Sequence, residues 1–148
     1  MLIVTAIIGL VAGLSFPSAA SGVEQLRLRS ASDSIVGFLN TAIDRAERRQ
    51  QVIELLISPQ ENALLARSSD LAFSRRLELP VGFRMSSIRP DAQPVAAGIN
   101  MTPRRFLLYP GGTVPRLSIE LASNSNRRRY VSVDPITGQP MAHAGALR

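Results

Sequence analysis

The sequence predicts an α+β protein, a long N-terminal helix packed on an antiparallel β-sheet domain. Three observations carry that expectation. Met1 to Phe16 (MLIVTAIIGLVAGLSF) contains no charge, and Pro17 follows at once. From Val23 to Arg49 apolar residues recur at three- and four-residue steps, the spacing of one helix face. After Arg49 the apolar period falls to two, as in strands with one buried face. The helix therefore divides into an apolar half, residues 1–22, and an amphipathic half, residues 23–50. A β domain over 51–142 and a tail over 143–148 complete the chain.

The elements follow in order. Leu28, Ala31, Ile35, Phe38, Leu39, Ala42 and Ala46 form the apolar stripe of the amphipathic half. Arg29, Asp33, Asn40, Asp44 and Arg48 fall mostly away from it, and Asp44 with Arg48 makes a favourable i,i+4 pair. Pro17 removes a backbone donor and Gly22 adds freedom, so a bend between the halves is expected. Gln51–Ile57 reads as a strand stopped by Pro59, with Asn62–Arg67 and Ala72–Leu79 after it. Val81, Phe83 and Met85 alternate with Gly82, Arg84 and Ser86. Arg89–Gly98, carrying Pro90 and Pro94, reads as a loop. Phe106–Tyr109 then leads into the turn Pro110-Gly111-Gly112. Leu117, Ile119 and Leu121 alternate with Arg116, Ser118 and Glu120, which predicts a strand whose polar face is wet. A turn over Ser123–Asn126 returns the chain through Arg129–Val133, and Asp134-Pro135-Ile136-Thr137-Gly138 closes it. The expected sheet is an antiparallel meander.

Composition excludes more than it assigns. With no Cys and one His, His143, neither a thiolate metal site nor a His-based triad can be built within one chain. His143 is expected in a solvated tail. Pro110-Gly111-Gly112 lacks the Lys and following helix of a phosphate loop. Glu47, Glu54 and Glu61 step by seven but fall on different elements, so no carboxylate pair at catalytic spacing emerges. The expectation is a non-enzyme without cofactor, metal or small-molecule ligand. All seventeen basic residues are Arg, which a GC-rich coding bias explains, and the net charge is +6.

Three readings of the apolar N-terminus compete. A secretory signal could be cleaved near Ser18-Ala19-Ala20-Ser21, although no Lys or Arg precedes the apolar run. A plain membrane span is the second, but sixteen residues at 1.5 Å rise reach only about 24 Å of a core near 30 Å. Its first basic residues, Arg27 and Arg29, would also hold the following domain on the cytoplasmic side. The third is a start that lies upstream of Met1. It would supply a basic leader and about five further apolar residues.

MLIVTAIIGLVAGLSFP resembles the interior of a type IV pilin-like N-terminus, with Gly9 and Pro17 where that family usually has Gly and Pro. That resemblance favours the third reading, because Met1 aligns just after the family's Glu. The cleavage Gly, the Phe and the Glu are missing from this sequence. FLLYPGG, the strand RLSIEL and a strand ending VDPITG are similar to the C-terminal pattern of the minor pseudopilin H group of type II secretion. The minor pilin T group shares that pattern. The resemblance implies a structural subunit of a short pseudopilus that drives protein export across the outer membrane. It implies a single pass through the bacterial inner membrane, a periplasmic globular domain, and other pseudopilins as partners. Leu2, Ile3, Val4, Ala6, Ile7, Ile8, Gly9, Leu10, Val11, Gly13, Leu14, Phe16 and Pro17 would form the membrane and filament helix. Among them Ala6, Gly9 and Gly13, together with Ala12, would let neighbouring helices approach closely. A minor pilin that binds DNA for uptake, or a periplasmic protein with a cleaved signal peptide, are the alternatives.

Arg127-Arg128-Arg129 is the one charged cluster with candidate partners. In a strand Arg127 and Arg129 share a face and Arg128 takes the other. Arg104 and Arg105 would join them if the last strands pair as a meander. An exposed hairpin end, a contact with acidic filament subunits, and DNA binding are the readings, with DNA the least favoured because phosphate contacts need several Arg on one surface.

Overall fold

The computed structural model describes residues 2–69, 73–90, 102–112 and 114–145, and the side chains of Leu2 and residues 10–21 lie outside the described set. A single helix, α1, runs Leu2–Arg49, and its helical backbone passes through Pro17 and Gly22 without a break. Arg48 and Arg49 occupy its last turn, where cations complement the helix dipole. Gln50 then takes a left-handed φ of 52°, and the Gln51 N–H returns to the Ala46 carbonyl at 3.2 Å, ending the helix.

Eight strands follow: β1 (Ile53–Ser58), β2 (Ala63–Ser68), β3 (Ser74–Glu78), β4 (Phe83–Arg89), β5 (Arg104–Leu108), β6 (Ser118–Ser123), β7 (Arg128–Val133) and β8 (Pro140–Ala144). They form two antiparallel four-stranded sheets, ordered β3-β2-β1-β5 and β4-β6-β7-β8. The expected single meander is therefore corrected. β4 leaves the first sheet to open the second, and β5 returns to pair with β1, Ile53 opposite Leu108. Both sheets pack on α1 through one core. Leu28, Ala31, Ile35, Leu39, Ala42 and Ala46 are buried as the stripe predicts. They meet Ile53, Leu55, Ile57 and Leu64 from the first sheet and Ile119, Leu121 and Val131 from the second. Each large side chain so buried contributes about 1.5–3 kcal/mol.

Further expectations are corrected. Val81 is not in a strand but fully exposed in the turn before β4, where Gly82 takes a φ of 96°. Glu120, expected on a wet face, is only 5% exposed because Arg128 and Ser86 close over it. His143 lies in β8 rather than in a tail, so residues 143 and 144 belong to the second sheet. Pro140 opens that edge strand, the one place where a missing N–H costs no ladder bond. The loop expected over Arg89–Gly98 keeps Arg89 in β4, while residues 91–101 lie outside the described set, as do 70–72, which cover the expected start of β3. Among the described residues no helix is long and apolar enough to cross a membrane, so the expected transmembrane span has no support there.

Candidate functional site

The helix has two unlike environments. From Leu28 onward its stripe is covered by the sheets. Before Leu28 no described residue is buried, and Ile3, Val4, Ile7 and Ile8 are more than half exposed, Ile3 to 75%. Ala6 and Gly9 are exposed beside them, and a Cβ placed on Gly9 would meet nothing within 4 Å. Leu10, Val11, Gly13, Leu14, Phe16 and Pro17 have side chains outside the described set, as does Leu2. Val23 and Leu26, at the edge of the domain, are likewise exposed. Aliphatic side chains in this number are costly to leave in water, so the surface calls for a cover.

Where α1 leaves the sheets, the β6–β7 turn holds it. Arg127 Nη1 donates to Gln25 Oε1 at 3.5 Å. The hydroxyls of Ser125 and then Ser123 hold the Glu24 carboxyl below the usual glutamate range, with a smaller contribution from the Arg127 charge. At the other end of the packed half, the Gly111 N–H donates to the Glu47 carboxylate at 3.1 and 3.2 Å. Gly112 is sterically required in that turn, since a Cβ there would lie 2.9 Å from Tyr109 Cβ. The Asp134–Gly138 turn closes over the same place, with Gly138 (φ 71°) against Val114. The two C-terminal motifs and Glu47 thus line one recess at the foot of the helix.

The three consecutive Arg do not form one patch. Arg127 reaches toward Gln25, and Arg128 Nη1 donates to Glu120 Oε1 at 3.0 Å on the face away from α1. Arg129 lies on the α1 side of β7, its Nε buried without a hydrogen-bond partner. Arg104 and Arg105 stand in the other sheet. Arg105 pairs with Glu54, which also holds Arg67, and Arg104 is buried with Nη1 on the Pro90 carbonyl at 3.0 Å. The expected gathering of these five Arg is corrected by the crossover of β5 to β1. Among the described residues no three of His, Asp and Glu converge as a metal site would require.

Sequence reasoning missed Glu24, Gln25 and Glu47 as the groups that tie α1 to distant turns. Their only local signal was a polar side chain next to the apolar stripe.

The long N-terminal helix, covered from Leu28 onward by two antiparallel sheets, gives this chain a pilin-like fold. Among solved structures it is similar to the minor pseudopilin EpsH from the type 2 secretion system of Vibrio cholerae, with a TM-score of 0.60. The match covers 80% of this chain and 97% of that one at 11% identity, a likeness that shows the fold. No family model and no curated protein matches the sequence.

Proposed function

We propose that the protein is a minor pseudopilin, a non-enzymatic structural subunit of a type II secretion pseudopilus. The observation that carries this reading is the exposed apolar segment of α1 from Ile3 to Gly9, on the same unbroken helix as the buried stripe that begins at Leu28. Before assembly the segment sits in the inner membrane, with the two-sheet domain in the periplasm. A helix is stable there because its backbone hydrogen bonds are internal and its side chains match lipid. In the filament, neighbouring pseudopilin helices cover the same surface, so assembly exchanges lipid contacts for helix packing. Ala6 and Gly9 suit close approach of those helices. The dispersal of Arg127, Arg128 and Arg129 favours this reading over DNA uptake.

Cell fractionation tests it. The chain should be recovered with the inner membrane, and a version beginning at Val23 should be recovered in the soluble fraction. Recovery of the full chain in the soluble periplasm, shortened near Ala20, would refute the anchor and favour a cleaved signal.

A further inference from the structure

The second sheet turns one face to α1 and the other outward. Met85, Ile119, Leu121 and Val131 fill the inner face. Strand register then sets three outward rows: Arg84, Ala122 and Arg128; Glu120, Tyr130 and His143; Ser118, Ser132 and Met141. In the middle row Tyr130 and His143 stack at 4.8 Å between ring centroids, 22° from parallel. Met141 lies diagonally beside them, 46% exposed. A groove along this face joins Met141 and His143 to Ser118, Ser132 and Arg116.

The charge on this face is one-sided. Arg84 and Arg116 are exposed, and the Arg128 side chain is 45% exposed. Among the described residues of these rows, Glu120 is the sole carboxylate, and it is buried beneath Arg128 and Ser86. Asp134, at the end of the groove, has its carboxylate on the Ile136 N–H at 2.8 Å.

We propose that this face docks a protein surface of acidic character, with an apolar or aromatic side chain seated on Tyr130, His143 and Met141. Carboxylates around that anchor would meet Arg84 and Arg116, while Arg128 stays on Glu120. Aromatic and Arg residues are the types that dominate interface energetics, and an apolar centre within a charged rim is how such sites are built. A second copy of this chain does not fit, because it would bring the same positive rim. Nucleic acid fits less well. Arg84 and Arg128 flank β6 about 10 Å apart at ordinary strand spacing, while Arg116 lies about 20 Å along it, so the cations surround the aromatic centre instead of tracking a backbone. The face points away from α1, and the proposal does not depend on the pseudopilin reading.

The test uses the full chain in detergent micelles and fluorescence anisotropy with three labelled probes. These are a peptide alternating Glu with Phe, its Lys-for-Glu counterpart, and a single-stranded oligothymidylate. The Glu peptide should bind at least about tenfold tighter than the Lys peptide, since like-charge juxtaposition is repulsive. Arg84→Glu with Arg116→Glu, and separately Tyr130→Ala, should each weaken it by about tenfold, the loss of a central or charged anchor. Arg29→Glu with Arg48→Glu makes the same charge change on α1 and should leave the affinity within about twofold. Equal weakening by the α1 pair would overturn the site in favour of general electrostatics. Tighter binding of the oligothymidylate would overturn it in favour of nucleic acid, and absence of Glu-peptide binding would overturn it outright.

Discussion

The Glu47 carboxylate accepts the backbone N–H of Gly111 through both oxygens, at 3.1 and 3.2 Å, joining the foot of α1 to a turn 64 residues further along the chain. This contact gives the Pro110-Gly111-Gly112 turn a mechanical role: it locks the end of the helix to the approach to the second sheet. Glu47→Ala should lower stability by about 1 kcal/mol, the usual loss for one such hydrogen bond. For a chain of this size that is a fall in Tm of about 2–4 °C. Gly112→Ala should cost more, about 1–3 kcal/mol, because its new Cβ would overlap Tyr109 and the turn must open. Thermal unfolding of the two variants checks the order. A Gly112→Ala protein as stable as the parent would show that the turn tolerates rearrangement.

Leu39 is 1% exposed at the centre of the stripe, between the two sheets. Leu39→Ala should cost about 2–5 kcal/mol, the transfer loss plus a cavity. Leu39→Asp should unfold the domain or nearly so, since an unpaired buried carboxylate costs several kcal/mol against a total of about 5–15. Circular dichroism of a version beginning at Val23 reads both. An unchanged melting temperature for Leu39→Asp would mean that the sheets are not held by this face.

The stripe was legible because helix periodicity is local: seven positions from Leu28 to Ala46 declare one face whatever they pack against. The partition into two sheets was not. β5 pairs with β1 across a gap of some fifty residues, and nothing in RRFLL names Ile53–Ile57 as its partner rather than the next strand along the chain. Glu120 failed for a related reason. Alternation correctly put it opposite Ile119 and Leu121, but its burial comes from Arg128 on β7 and Ser86 on β4. β8 was invisible because PMAHA begins with Pro and has weak strand propensity; the returning turn and the free edge of β7 make it a strand. Of the candidate site, the uncharged run was plain in the sequence, and so was the opposition of Arg128 to its neighbours. That Arg127 meets Gln25 depends on how deep the β6–β7 turn sits on the helix, which only the packed structure sets.

Asp134 gives a pH-dependent handle on the last turn. The Ile136 N–H is the main group holding its carboxyl below the ordinary aspartate value of 3.8; burial opposes it, and the backbone and hydroxyl of Thr137 add smaller lowering contributions. A carboxylate with a depressed folded-state pKa stabilises the fold fully above its unfolded value, and that contribution is lost as pH falls through the folded value. Asp134→Asn keeps an acceptor for the Ile136 N–H but removes the charge. The parent should therefore melt higher than the variant at neutral pH, with the gap closing below about pH 4. Melting curves at pH 3 and pH 7 measure it, and a gap independent of pH would show that the ionised form does not matter to the turn.

Arg128 separates the two leading functional readings most directly. If the consecutive Arg served DNA, removing them would chiefly lower DNA affinity. The structure instead commits Arg128 to the buried Glu120, at 3.0 Å. Arg128→Ala should therefore cost about 1–3 kcal/mol of stability by leaving a buried acceptor short of its donor. Glu120→Ala in the same chain should recover part of that loss, because the stranded carboxylate is gone. Duplex DNA should bind the parent no better than it binds any basic domain, with Kd near 10⁻⁴–10⁻⁶ M in physiological salt and a steep fall as salt rises. Replacing Arg127, Arg128 and Arg129 together with Ala, with Glu120→Ala to keep the domain folded, should lower that weak binding no more than the loss of three other surface Arg does. A titration in physiological salt decides the matter. Sub-micromolar binding lost with these three Arg would transfer the protein from secretion to DNA uptake.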